Sequence, residues 1–240
     1  MRLSILFYGL ELKMNDITKI KQLQDEIGYK FSDENYLVTA LSHTSYVNEV
    51  KLKKIQSYER QEFLGDAVLE LTVSDYIFST YLSMPEGEMT KLRASLVCEP
   101  TLAYIARTEI NLSEYLLLGK GEDNTGGRDR DSIISDVFEA LIGAIYLDGG
   151  LDKAKCFIQK YVLTDMEKKI EFVDSKTRLQ EKVQAVSKTL EYVLVSEEGP
   201  AHDKKYTIDV YINGEKYGTG VGRSKKSAEQ HAAYEALKRM

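Results

Sequence analysis

The chain has 240 residues and a mass of 27.3 kDa, enough for one large domain or two modest ones. With 43% hydrophobic and 29% charged residues its composition is globular, which excludes a disordered chain. The formal charge of −6 excludes a uniformly basic surface, and the two distant cysteines, Cys98 and Cys156, exclude a disulfide framework and a zinc site.

Those cysteines read as reduced thiols of a cytoplasmic protein, and no apolar run is long enough to cross a membrane. Residues 3–10 are apolar, but Glu11 follows without a small-residue cleavage site, so they are not read as a secretory leader. Residues 1–14 form an extension with no assigned function. Residues 15–27 repeat Ile17, Ile20, Leu23 and Ile27 at helical spacing, and Gly28 ends the helix. Ser32 is the expected cap of a second helix. His43 has no histidine neighbour and reads as structural, and residues 51–57 read as an exposed basic loop.

The stretch from Tyr58 to Leu71 organises the chain. At helical period Glu59, Glu62 and Asp66 fall within a sector of roughly 60°. Phe63, Leu64, Ala67, Val68 and Leu71 make an adjoining apolar face, expected to join the core, and Leu69 and Val73 flank the acids on the other side. A solvated acidic stripe is the commoner origin of such spacing, but it does not set carboxylates between apolar residues. Acids crowded beside a core repel one another and resist desolvation, and a divalent cation is the usual compensation.

Pro85-Glu86-Gly87 interrupts the helical pattern, which resumes over residues 88–97 and again after Pro100. Residues 119–131 form a glycine-rich polar loop that lacks the spacing and trailing Lys-Ser/Thr of a phosphate loop. Residues 132–147 are then almost wholly apolar except for Asp136 and Glu139, again at i and i+3. An N-cap or first-turn acid favoured by the helix dipole accounts for Asp136 and extends to Glu139, but does not explain their coincidence with the first acidic cluster. Packed against the first acidic helix, the second brings up to five carboxylates together: Glu59, Glu62, Asp66, Asp136 and Glu139. A di-iron centre needs a Glu-x-x-His motif, which is absent, so oxygen-only ligation of Mg²⁺, with Mn²⁺ as substitute, is preferred.

Residues 168–174 change in texture and read as a linker. After them come a short helix, a strand near residues 192–196, an alternating strand over 205–212, an Asn213-Gly214 turn, a third strand and a Ser224-capped helix. This α-β-β-β-α order fits one small α+β domain, residues 175–240, behind an all-α domain, residues 15–167. By the sequence, residues 1–173 carry a formal −8 and residues 174–240 carry +2. Arg223, Lys225 and Lys226 flank a helix start, where backbone N–H groups, dipole and cations can make a phosphate clamp, although on these residues alone a solvated helix start with ordinary lysines is the favoured reading.

Glu59-Arg60-Gln61-Glu62-Phe63-Leu64-Gly65-Asp66-Ala67-Val68-Leu69 closely resembles the ribonuclease III signature, and Asp136-Val137-Phe138-Glu139-Ala140 resembles that family's second acidic motif. The C-terminal part is similar to a double-stranded RNA-binding domain through Lys176-Thr177-Arg178-Leu179-Gln180-Glu181, Gly199-Pro200-Ala201-His202 and Ser224-Lys225-Lys226-Ser227-Ala228-Glu229-Gln230. The resemblance implies a homodimeric endonuclease that cuts both strands of duplex RNA and leaves 5′-phosphate and 3′-hydroxyl ends, in ribosomal and messenger RNA processing. It implies a metal set of Glu62, Asp66, Asp136 and Glu139, with Asp66 and Glu139 the catalytic pair whose loss hurts most. Glu59 matches a family acid at the dimer interface that is linked to substrate placement. Thr177, Gln180, Glu181, Gln184 and His202 are implied as minor-groove contacts, and Lys225 and Lys226 as phosphate contacts. A dimer that holds RNA without cutting is the second reading, and a scaffold with a structural acidic helix is the third. The intact acid set favours the enzyme.

Overall fold

The computed structural model describes residues 6–7, 10–11, 14–199, 204–222 and 224–240. The chain divides into two compact units, Met1–Met166 and Glu167–Met240. In the first, strands β1 (Leu6–Phe7) and β2 (Leu10–Glu11) pair antiparallel, and eight helices follow among the described residues. These are α1 (Met14–Ile27), α2 (Glu34–Leu41), α3 (Thr44–Glu49), α4 (Glu59–Thr80), α5 (Glu86–Val97), α6 (Glu99–Thr108), α7 (Lys120–Asn124) and α8 (Asp131–Ile158).

The apolar stripe of α1 is buried as its spacing predicts: Ile17, Ile20, Leu23 and Ile27 are each at most 4% exposed. Gly28 ends the helix at φ +72°, a conformation glycine adopts without steric cost. The cap of α2 is Asp33 rather than Ser32. Its carboxylate accepts the Asn35 N–H, and an Asp there satisfies an otherwise free first-turn donor. The expected loop at 119–131 contains the short α7 and a 3₁₀ turn at Gly127–Asp129, held where Arg128 donates to the carbonyls of Ser113 and Leu116. The expected basic loop before α4 likewise holds a 3₁₀ turn, Lys54–Gln56, and its last residue, Ser57, is buried.

Helices α4 and α8 form the central pair. The apolar face expected of α4 is only partly core. Val68 is buried, but Phe63 is 81% and Leu71 57% exposed. Gln61, Gly65, Val68, Leu69, Thr72, Val73 and Ile77 face the interior instead, because the side of α4 that meets α8 is the one carrying Gly65. In α8 the run from Ile133 to Ile145 is buried apart from its two acids. The helix breaks at Gly150 (φ +79°). Just before the break, the Asp148 carboxylate accepts the N–H groups of Ser32 and Asp33 and the Tyr29 hydroxyl, tying α8 to the loop after α1.

In the second unit the expected linker is largely helical: α9 (Met166–Val173) buries Phe172, whose ring lies edge-on to His231 and Tyr234 at 4.7 and 5.4 Å. Next come α10 (Ser175–Ala185), β3 (Leu190–Glu198), β4 (Lys205–Ile212), β5 (Glu215–Gly222) and α11 (Lys225–Arg239). The sheet is antiparallel in the order β3-β4-β5, with an irregularity at Val195 in β3. Asn213 and Gly214 both have positive φ, the twist a two-residue hairpin favours. Its core is Leu179, Val183, Val210, Ile212, Ala232, Ala233 and Ala236. Helix and strand meet at backbone distance: a Cβ at Gly220 would lie 2.0 Å from the Ala228 carbonyl oxygen, and one at Gly218 would lie 2.5 Å from that of Ala232.

Candidate metal centre

The acid cluster begins with a backbone contact. A Cβ on Gly65 would lie 1.8 Å from the carbonyl oxygen of Glu139, and one on Gly143 would lie 2.2 Å from that of Gln61. The two helices therefore touch through glycines, and this contact brings Glu62, three residues before Gly65, towards Glu139, four residues before Gly143. Glu62, Asp136 and Glu139 each offer an oxygen, and these oxygens lie within 4.8 Å of one another. All three side chains are partly buried.

Asp66 stands at the exposed rim of this group, close enough that its charge acts on Glu139. Glu59 lies outside the group, exposed and paired with Lys54 at 3.3 Å. Of the five acids read from the sequence, three form one ligand group, one borders it and one does not join it.

Electrostatics follow from burial. Desolvation, then Asp66, Asp136, Glu62 and Glu70, push the Glu139 carboxyl up to about 8. Desolvation, then Asp136, Glu59 and Asp66, push Glu62 up to about 7. Desolvation also raises Asp136, opposed by a hydrogen bond from the Tyr58 hydroxyl. Asp66 is held above the usual carboxylate range by desolvation and then by Glu70. Without a cation, the cluster retains protons near neutral pH. Three carboxylate oxygens gathered together, with no ion pair to any of them among the described residues, suit a hard divalent ion, and binding it displaces those protons.

The sign of the stability effect is fixed by these values. In the unfolded chain Glu62 and Glu139 ionise near the ordinary glutamate value of 4.5, whereas in the native chain burial and the neighbouring acids push them up to about 7 and about 8. Between these limits the native state binds more protons, so its advantage is full below about pH 4.5 and lost as pH passes about 8. In chelator-treated buffer the melting temperature should fall across that interval. Added Mg²⁺ should restore most at the alkaline end. A flat or rising metal-free profile would contradict this.

Sequence reading missed Glu70 and Glu99. Glu70 continues the acid stripe of α4 at i+4 from Asp66, so helical spacing was signal enough. Glu99 acts on Asp136 from the first turn of α6, a proximity that only the packing of α6 on α8 creates.

In the second unit, Thr177, Gln180, Glu181 and Gln184 line the exposed face of α10, opposite the buried Leu179 and Val183. Lys225 and Lys226 are exposed in the first turn of α11, where Ser224 Oγ caps the helix through the Ser227 N–H. His202 and Arg223 lie outside the described residues.

Residues 33–166 match the family model described as Ribonuclease-III-like, and residues 175–240 match that of the double-stranded RNA binding motif. The chain belongs to the ribonuclease III family. Ribonuclease 3 of Geobacillus kaustophilus is 50% identical over 222 residues, 91% of this chain and 90% of that protein. Ribonuclease 3 of Bacillus velezensis is 48% identical, over 93% of this chain and 91% of its own length. A solved nuclease domain of ribonuclease III from Campylobacter jejuni is 42% identical with a TM-score of 0.55, covering 60% of this chain and 95% of that one. As a ribonuclease III, the protein is an endoribonuclease whose C-terminal unit binds double-stranded RNA. The glycine contact and the acid cluster both fall within the nuclease match.

Proposed function

We propose that this ribonuclease III is a Mg²⁺-dependent enzyme that hydrolyses both strands of duplex RNA to 5′-phosphate and 3′-hydroxyl ends. The observation that carries the reading is the meeting of Glu62, Asp136 and Glu139 in one recess. These three, with Asp66 at the rim, would hold the cation, Asp66 and Glu139 being the pair on which catalysis depends. When bound, Mg²⁺ supplies a Lewis acid for the scissile phosphate and lowers the pKa of a water nucleophile. The protein itself contributes preorganised oxygen ligands: α4 and α8 fix the carboxyl groups before substrate arrives, and no side chain need act as the attacking group. Glu59, beside Lys54, is assigned to placing the substrate strand.

Recognition falls to the second unit. The polar face of α10 would reach 2′-hydroxyls across a shallow minor groove, and His202 would enter the next one. Lys225 and Lys226, at a capped helix N-terminus, would take the phosphates between them. Such contacts read A-form shape rather than sequence.

The working form is a homodimer. Phe63, Leu71, Phe78 and Leu82 are 81%, 57%, 72% and 89% exposed. At helical period Phe63, Leu71 and Phe78 form one stripe within about 80° along α4, and Leu82 follows just past its end. An apolar stripe of that length marks an interaction surface, and a second copy is the partner we assign. The C. jejuni nuclease domain has a region involved in dimer formation. A cleft of about 590 Å³ lies against the same helix, lined by Tyr36, Ile55, Leu64 and Leu147 and by none of Glu62, Asp66, Asp136 and Glu139. Its buried Ser57 Oγ and Gln61 Oε1 lack a partner among the described residues. The free thiols Cys98 and Cys156 support a cytoplasmic location, and precursor ribosomal and messenger RNAs are the assigned substrates.

The test is a defined RNA hairpin incubated with the full chain and Mg²⁺, with and without EDTA. Phosphate-ended products with Mg²⁺ alone are expected, and an uncut hairpin with Mg²⁺ would overturn the enzymatic reading. Sedimentation as a monomer at working concentration would overturn the dimer.

A further inference from the structure

One side chain behind the acid cluster is held too firmly to be simple filling. Tyr58, immediately before α4, is 5% exposed and restrained from three directions. Its N–H donates to the Ser42 carbonyl at 3.0 Å. Its ring packs on that of His43, with centroids 5.7 Å apart. Its hydroxyl donates to Oδ2 of Asp136 at 3.4 Å. His43 is itself fixed: Nδ1 lies 2.7 Å from Ser45 Oγ and accepts the Ser45 N–H at 3.1 Å, while its own backbone N–H donates to Leu117. The junction of α2 and α3 thus sets the phenol, and the phenol reaches one acid of the cluster.

A phenol body suits an apolar site, but its buried hydroxyl needs an acceptor. Here the acceptor is a carboxylate that has two close carboxylate neighbours and, among the described residues, no ion pair. An aspartate with free rotation would turn away from that repulsion. A fixed donor to one of its oxygens holds it in place, as outer partners hold metal ligands.

We propose that Tyr58 is a positioning residue of the metal site, its hydroxyl keeping the Asp136 carboxylate in the place it shares with Glu62 and Glu139. The inference rests on the metal-dependent reading above. It goes further in assigning a role to a residue outside the acid set and, through Tyr58, to His43.

The test is Mn²⁺ binding by the full chain without RNA, with free Mn²⁺ followed by electron paramagnetic resonance. Tyr58→Phe keeps the ring and loses only the donor. It should weaken Mn²⁺ binding about tenfold, the scale seen when outer partners of metal ligands are removed, with the metal-free melting temperature unchanged. Wild-type affinity in the variant overturns the proposal. Absence of Mn²⁺ binding by the wild type overturns instead the metal site on which it rests. The chain has no tryptophan to obscure its tyrosine absorption. Mg²⁺ should therefore give a near-ultraviolet difference spectrum that Tyr58→Phe abolishes. A flat wild-type spectrum, or one unchanged in the variant, also overturns the role of Tyr58.

Discussion

Glu139→Gln is expected to abolish cleavage of duplex RNA while leaving RNA binding intact. The side chain sits where desolvation and four neighbouring acids lift its carboxyl to about 8, so only a bound cation makes its charge tolerable at neutral pH. The amide keeps the shape and removes the charge that holds the ion. A loss of roughly 10³-fold in single-turnover rate is expected, the scale of deleting a principal electrostatic stabiliser. The RNA-contacting residues assigned above lie in the other unit, so a mobility shift should be unaltered. Stability should move the other way: with one repelling acid gone, the metal-free protein should melt higher than wild type, and Mg²⁺ should add less. A variant that cuts at near wild-type rate, or whose response to Mg²⁺ is undiminished, would remove Glu139 from the site.

Gly65→Ala should cost both fold and activity. The added methyl would lie 1.8 Å from the Glu139 carbonyl oxygen, a backbone atom that cannot swing aside. Overpacking of this kind costs about 1–3 kcal/mol, and the upper end is expected where no side chain can yield. Spreading α4 from α8 also separates Glu62 from Asp136 and Glu139. Denaturant midpoint and cleavage should therefore fall together, unlike Glu139→Gln, where they part. Unchanged unfolding with full activity would show that the helices tolerate separation.

Local patterns carried much of this structure into the sequence. The alternation of residues 205–212 gave β4 at its observed ends, Asn213-Gly214 its turn, and Ser224 the start of α11. Acids at i and i+3 on two apolar helices foretold a shared recess, because period alone places a side chain on a face. Which face becomes interior is a different question. Phe63 and Leu71 looked like core yet are exposed, while Gln61 is 6% exposed, since a long-range contact through Gly65 and Gly143 chose the orientation of α4. Glu99 and Tyr58 were invisible for the same reason: each owes its place beside Asp136 to packing between elements distant in sequence. The 168–174 segment read as linker because its charges hid Phe172, whose burial depends on α11.

The approach of α11 to β5 has a mechanical consequence. Glycines at 218 and 220 sit like notches under Ala232 and Ala228, so the rod above them cannot creep along its bed. The lysines at its tip and the polar ridge of α10 then keep a constant gap, as the jaws of a locked caliper do. On the RNA contacts proposed above, a double helix of the wrong girth would be rejected by fit, before any atom of a base is touched.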